Sequence, residues 1–224
     1  MKDRIYRLLV LLLLMLAVYF CVLAYKEHKP FEVAETAHQA IVQTVVKKEE
    51  TNDPLKRQID FDTLCRVNTD IIGWLYIPQL EINEPILKGQ TDTEYLNKSF
   101  DGTYSPLGSV FTYAHVDEKL ADPHICLFGH NMMSGQIFGK LERFKDETIW
   151  KTDPNLYVYT PERVKMLEIQ SVYTCLKDDV VFQDDWTMEE ENGQTFTLAT
   201  CDGYTQTANR LVVNCRVVKE KIVF

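Results

Sequence analysis

Cys201 and Arg210 are the residues of this chain whose types and spacing most directly suggest chemistry. Cys201 ends the run Thr197-Leu198-Ala199-Thr200-Cys201, and Arg210 opens the run Arg210-Leu211-Val212-Val213. Both runs read as β-strands, along which side chains alternate between two faces. From Thr195 onward, Phe196 and Leu198 share one face, while Thr195, Thr197, Ala199 and Cys201 share the other. From Arg210 to Val217 the apolar set Leu211, Val213, Cys215 and Val217 leaves Arg210, Val212, Asn214 and Arg216 opposite. If the two strands pair through the loop 202–209, Cys201 and Arg210 both point away from the core into one groove. A fixed positive charge beside a thiol favours the thiolate, which is the nucleophilic form. The same spacing also suits a strand-end cysteine and an unrelated surface arginine, and spacing alone does not separate the two.

These two runs resemble the catalytic end of the sortases, the cysteine transpeptidases of Gram-positive cell surfaces. The third catalytic residue of that family is a histidine in a Gly-His-Asn context, and this chain has Phe128-Gly129-His130-Asn131-Met132. The continuation Gly135-Gln136-Ile137-Phe138-Gly139-Lys140-Leu141 resembles class B sortases in particular. So do Gly73-Trp74-Leu75-Tyr76-Ile77-Pro78, Tyr95-Leu96-Asn97 and Gly108-Ser109-Val110-Phe111. The resemblance runs in order from Asp60 to Val218.

It implies a division of labour. Cys201 would attack the carbonyl of a threonine in a sorting peptide and form a thioacyl intermediate. Arg210 would stabilise the developing oxyanion and orient the peptide, because a fork of permanent donors suits that charge. His130 would act as general acid toward the leaving amine and then as base toward the incoming one. Thr200 could hydrogen-bond the intermediate, Asn131 and Asp202 could orient their catalytic neighbours, and Tyr95, Leu96, Asn97 and Asn131 are peptide-contact candidates. Each has a rival or a purely structural reading. Arg216 shares the parity of Arg210 but lies further along its strand. His115 sits in the loop Ala114-His115-Val116-Asp117, His28 and His38 fall before the domain, and His124 follows Pro123 in what reads as an exposed turn.

Those residues need elements to hold them. Strand signals occur at Trp74 to Ile77, Glu84 to Leu87, Ser109 to Tyr113, Ile125 to Phe128, Leu156 to Thr160, Val164 to Thr174, Thr195 to Cys201 and Arg210 to Val218. Apolar positions from Leu55 to Asp70 suit a short helix, and Ile137, Phe138, Leu141 and Phe144 recur at helical spacing. Many short strands with few helices predict a mainly β fold, and the resemblance implies the eight-stranded sortase-type β-barrel with short flanking helices. One departure stands out. Class B sortases carry a long helical insertion before the strand of the cysteine, whereas here only 175–194 is available, crowded by Asp178, Asp179, Asp184, Asp185 and Glu189 to Glu191. A full helix of that kind hardly fits, and the peptide preference of the class does not carry over.

The N-terminus is of another kind. Leu8 to Tyr25 is an unbroken apolar stretch preceded by Lys2, Arg4 and Arg7, about the length that spans a bilayer. No small-residue cleavage site closes it, so it reads as an uncleaved transmembrane signal anchor rather than a removed signal. The expected organisation is a cytoplasmic N-terminus over 1–7, the anchor over 8–25, a stalk over 26–54 and an extracellular catalytic domain over 55–224. A chain of 224 residues with such a segment set aside suits one domain. The net charge of −9 without a basic cluster argues against a nucleic-acid partner. Of the six cysteines, Cys21 lies in the anchor. Cys126, Cys175 and Cys215 read as small buried hydrophobes, as does Cys65 on its helix. No cysteine or histidine pair has metal-ligand spacing, so neither metal nor cofactor is expected.

The resulting expectation is a membrane-anchored, class B-like sortase. It would cleave the C-terminal sorting signals of surface proteins at a Thr-X bond and pass the acyl group to an amine of a peptidoglycan precursor. The alternative is a pilin-polymerising sortase with a lysine side chain as acceptor. The end of the chain at Lys221-Ile222-Val223-Phe224, without a second apolar segment, favours wall anchoring.

Overall fold

All eight expected strands form. They are β1 (Ile71–Ile77), β2 (Ile82–Lys88), β3 (Val110–Thr112), β4 (His124–Phe128), β5 (Asn155–Tyr159), β6 (Arg163–Leu176), β7 (Thr195–Cys201) and β8 (Asn209–Ile222). The structure is a computed structural model, which describes residues 2–46, 53–183, 186, 193–203 and 207–223. The strands close into a barrel in the order β1-β2-β3-β4-β7-β8-β6-β5. Two neighbouring pairs, β2 with β3 and β4 with β7, are parallel, and the others are antiparallel. Parallel neighbours require crossover connections. The connection from β4 to β7 carries β5 and β6, and it brings together strands separated by more than sixty residues of sequence.

The barrel is buried on both sides, which explains strands that read as continuous apolar runs. Leu75, Ile77, Ile86, Leu127, Phe196, Leu198, Leu211 and Val213 fill the interior. Trp74, Leu87, Tyr157 and Tyr159 face a second cluster, completed by Leu64 of helix α2 (Phe61–Val67) and by Ile41 and Val45 of helix α1 (Lys2–Val45). The chain from Phe138 to Phe144 differs from its sequence reading in detail. A 3-10 helix spans Gly139–Lys145 and a short α3 spans Glu147–Thr152. With three residues per turn, Phe138, Leu141 and Phe144 stack on one face, and all three are fully buried.

Helix α1 does not break at the expected anchor–stalk boundary. It runs through Pro30 for 44 residues. Its first part, exposed from Arg4 to Pro30, is long and apolar enough to cross a membrane. Its last turns dock on the barrel, where Val45 is fully buried and Val46 bridges to Ile59. Burying a side chain of that size contributes about 1.5–3 kcal/mol, more than helix propensity offers at a chain end. His38 on this segment meets Glu84 at 2.9 Å. Burial alone would push the His38 imidazole down, but the Glu84 carboxylate lifts it to about 9. The charged end of the stalk at Lys47 to Glu50 lies outside the described residues.

Three sequence expectations fail here, one of them at Cys175, which is half-buried rather than buried. Cys65 is exposed rather than buried, because α2 turns Leu64 inward and its neighbour outward. His124 is no exposed turn residue. It opens β4 with 6 % of its surface exposed, and its Nε2 lies 2.9 Å from the Thr197 hydroxyl. All six cysteines are free thiols.

Candidate active site

The site is assembled by strand register. Cys201 is the last residue of β7 and stands directly opposite Arg210 on β8, with both half-buried. Residues opposite each other on antiparallel strands project from the same face. On the other side of β7, strand β4 runs parallel, with Phe128 level with Ala199. Carrying that offset two residues further sets His130 level with Cys201. The Gly129 N–H continues the ladder to the Ala199 carbonyl at 3.3 Å. The Thr200 hydroxyl donates to the Gly129 carbonyl at 2.8 Å, binding the two segments together. Histidine, cysteine and arginine therefore gather at one end of the barrel, the cysteine and arginine on paired strands and the histidine on the segment that follows β4.

They open into a groove of about 530 Å³ that also takes in Leu96, Asn131 and Thr200. Phe111, Tyr113, Phe128 and Phe182 give it an aromatic wall, with ring centroids 4.9 Å apart for Tyr113 and Phe128. Phe182 belongs to the connection between β6 and β7, whose 3-10 turn at Val180–Phe182 covers the outer face of the sheet. Val181 there is fully buried, and its carbonyl accepts from Cys126. Ala199 and Val212, on the same face as Cys201, are buried as well. The face expected to point outward is open only at its end. Much of the shortened connection, including Asp184, Asp185 and Glu189 to Glu191, lies outside the described residues.

Each polar side chain has a defined partner. His130 Nε2 donates to the Leu96 carbonyl at 2.7 Å, which places a proton on Nε2 because a carbonyl only accepts. Arg210 donates from Nη1 to the carbonyls of Thr207 and Asn209, at 2.7 and 3.0 Å. Among the described residues these are its hydrogen bonds, and Nη2 and Nε face no acceptor among them. The rival arginine, Arg216, pairs across β7 with Thr195 at the opposite end of the strand and lies 3.9 Å from Glu168. His115 is exposed and stacks on Tyr113.

The remaining site candidates divide. Leu96 lines the groove and serves His130 through its backbone. Asn131 lines it too, yet its amide is committed to the protein, donating to the Cys201 carbonyl at 2.9 Å. Tyr95 and Asn97 are not among the groove residues. The Tyr95 hydroxyl donates to Asp70 at 2.6 Å, and the Asn97 carbonyl accepts from Ser105 N–H. One residue outside the candidate set is decisive for His130. Gly108 has φ +61°, and a Cβ there would lie 2.5 Å from the Leu96 carbonyl oxygen and 3.1 Å from the His130 ring. Only glycine suits that conformation and that approach. Its signal in the sequence was the Gly108-Ser109-Val110-Phe111 block, which carried the resemblance but no role.

A sortase-domain model matches residues 75–218. The chain belongs to the sortase family. Sortases are cysteine transpeptidases, and the chain is similar to class B members. Sortase B of Staphylococcus aureus is 25% identical over 182 residues, covering 71% of this chain and 75% of that protein. Sortase B of Listeria monocytogenes is 25% identical over 153 residues, covering 66% of this chain and 62% of that one. Among solved structures, a sortase B from B. anthracis in complex with AAEK1 superposes with a TM-score of 0.67 at 25% identity, covering 85% of this chain and 99% of that one. A Streptococcus pyogenes class B sortase involved in pilus biogenesis shares the fold, with a TM-score of 0.63 at 24% identity, covering 70% of this chain and 97% of that one.

Proposed function

We propose that this sortase is held in the membrane by α1 and cleaves C-terminal sorting signals of surface proteins at a Thr-X bond, using Cys201, His130 and Arg210. The acyl group then passes to an amine of a peptidoglycan precursor. The observation that carries this reading is the gathering of His130, Cys201 and Arg210 in one apolar-walled groove.

The Cys201 thiolate adds to the threonine carbonyl carbon, and the carbonyl oxygen becomes an oxyanion. The Arg210 donors left free by Nη1 stabilise that charge. Collapse breaks the C–N bond, and the leaving amine takes its proton from His130, which leaves a thioester. An acceptor amine adds to the thioester and gives its surplus proton back to His130. Expulsion of the Cys201 thiolate forms a new amide bond, so one amide is exchanged for another without an oxidant or a metal. Lys2, Arg4 and Arg7 before the apolar part of α1 favour a cytoplasmic N-terminus and a groove outside the cell.

The test is to incubate the full-length protein in detergent with pentapeptide sorting motifs and read the thioacyl adduct on Cys201 by mass spectrometry. Acceptor amines are then offered in competition: a stem peptide of peptidoglycan and a lysine-bearing pilin peptide. Preference for the pilin lysine would replace wall anchoring by pilus polymerisation, a reading in keeping with the streptococcal class B neighbour involved in pilus biogenesis. Absence of an adduct from every motif would sink both.

A further inference from the structure

Behind the nucleophile, the structure holds a compact polar cluster that reaches the groove lining at Asn131 and Gly203. Glu142 and Lys145 stand on the 3-10 helix Gly139–Lys145. Glu142 Oε1 accepts from Asn131 Nδ2 at 2.7 Å and from the Gly203 N–H at 2.8 Å. Asn131 Nδ2 in turn donates to the Cys201 carbonyl at 2.9 Å and the Gly203 carbonyl at 3.1 Å. Lys145 Nζ joins Glu142 Oε2 to Asp202 Oδ1, at 2.5 Å on each side. Every backbone atom held this way belongs to Cys201 or Gly203, and the side chain between them is Asp202.

The orientation of the Asn131 amide is not optional. Its nitrogen faces three acceptors: a carboxylate and two carbonyls. A flipped amide would set its oxygen against all three. Glu142 also faces donors at both oxygens, the Asn131 and Gly203 N–H groups at Oε1 and the Lys145 ammonium at Oε2, which suits the ionised carboxylate. Burial pushes its carboxyl up, but the bonds from Lys145, the Gly203 N–H and Asn131 outweigh that and hold it below the usual range. Asn131 directly follows His130, so the same amide ties the histidine-bearing segment to the cysteine-bearing one. The backbone around it is constrained as well. Gly203 has φ +87°, and Ile137, which bridges to Asn131, has φ +53°, a conformation that β-branched residues rarely adopt.

We propose that Glu142 is a positioning residue for the transfer reaction: through the Asn131 amide and the Gly203 N–H it fixes the Cys201–Gly203 segment against His130. The proposal rests on the reading of Cys201 as nucleophile and His130 as proton carrier. Two reacting groups on different strands must keep their separation through both half-reactions, and a misplacement of about 1 Å can cost on the order of 100-fold in rate. Glu142 touches neither substrate nor reacting atom, so its effect falls on turnover rather than on binding.

The test compares Glu142→Ala, Glu142→Gln, Asn131→Ala and the Glu142→Ala/Asn131→Ala double variant in the full-length protein. It measures steady-state transfer from whichever sorting peptide acylates the wild type, together with hydrogen exchange of the Gly203 amide. Glu142→Ala is expected to lower kcat about 10-fold with KM nearly unchanged, and to speed Gly203 exchange at least about 10-fold. Glu142→Gln keeps an acceptor oxygen and is expected to restore most of both. The double variant should lose little more than either single one, because the residues act as a unit. Wild-type kcat and wild-type Gly203 exchange in Glu142→Ala would overturn the proposal, as would a loss confined to KM, a loss that Gln does not restore, or additive losses in the double variant. A wild type that acylates no sorting peptide sinks the functional reading instead. The exchange measurement then decides the clamp alone.

Discussion

Two histidines contrast the groove with the side of the barrel on which α1 docks. His38, on the docked end of α1, meets the carboxylate of Glu84 and is lifted to about 9, so it stays charged at neutral pH and ties helix to barrel. His130, at the groove, donates to a backbone carbonyl, which orients the ring without adding a charge. The surroundings differ in the same sense. The α1 side is closed by Trp74, whose Nε1 donates to Asn83 at 2.7 Å, and by Arg57 lying 4.0 Å over the Tyr76 ring. The groove side leaves two donor positions of Arg210 unengaged by described residues. One imidazole is fixed by an ion pair and the other is only aimed, which suits the holding part of His38 and the proton-carrying part proposed for His130.

The sharpest way to break this division is at the nucleophile. Cys201→Ala is expected to abolish acyl transfer and to remove the fast phase of labelling by a methanethiosulfonate reagent. Cys65 is exposed and would label as well, so the measurement belongs in a Cys65→Ser background. Cys175 stands opposite Arg210 on its other side, in register on β6, and is the obvious impostor. Burial, with Asp179 nearby, pushes its thiol up to about 11, so it should stay unlabelled near neutral pH. A fast phase that survives Cys201→Ala would move the nucleophile to Cys175.

Arginine comes next. Arg210→Lys keeps the charge and loses the fork, and kcat/KM should fall at least about 100-fold, comparable to losing an oxyanion donor. Arg216→Lys, at the far end of the strand, should be nearly silent. Equal losses would cancel the role given to Arg210.

Gly108 sits on the boundary between the two regions. Gly108→Ala forces a Cβ against the Leu96 carbonyl and the His130 ring, and turnover should fall about 10-fold, with a misplacement of the histidine as the cause. Unchanged turnover would mean that the Leu96–His130 hydrogen bond does not matter for the reaction.

The smallest effect belongs to the holding side. His38 is raised in the folded state, so its contribution is fully present below its unfolded value of about 6.5 and is lost as pH rises through about 9. Thermal unfolding and exchange of the 31–45 amides should show the docked end of α1 loosening between pH 7 and pH 10. His38→Leu should flatten that dependence. A pH dependence that persists in the variant would assign the loosening to another group.

Much of the fold was legible in residues alone. Short runs of strand-forming residues located every strand, and alternation within β7 and β8 separated Cys201 and Arg210 from Leu198 and Leu211. The apolar run at Leu8 to Tyr25 needed only its length. The sequence could not decide what covers a face. Ala199 and Val212 are buried although they share the face of Cys201, and beside them Val181 and Phe182, distant in the chain, pack at Cys126 and Phe128 of β4. Nor could it place His130 beside Cys201 from local pattern. That neighbourhood rests on a parallel pairing of β4 with β7, which family resemblance anticipated and periodicity did not. Cys65 and His124 were misread because a single residue's exposure depends on its partner across space: Leu64 takes the inward direction beside Cys65, and Thr197 draws His124 in. Glu142 had no signal at all, since a glutamate on a short helix is ordinarily a solvated charge. Local sequence sets which way a side chain points, and only the closure of the barrel sets what it points at.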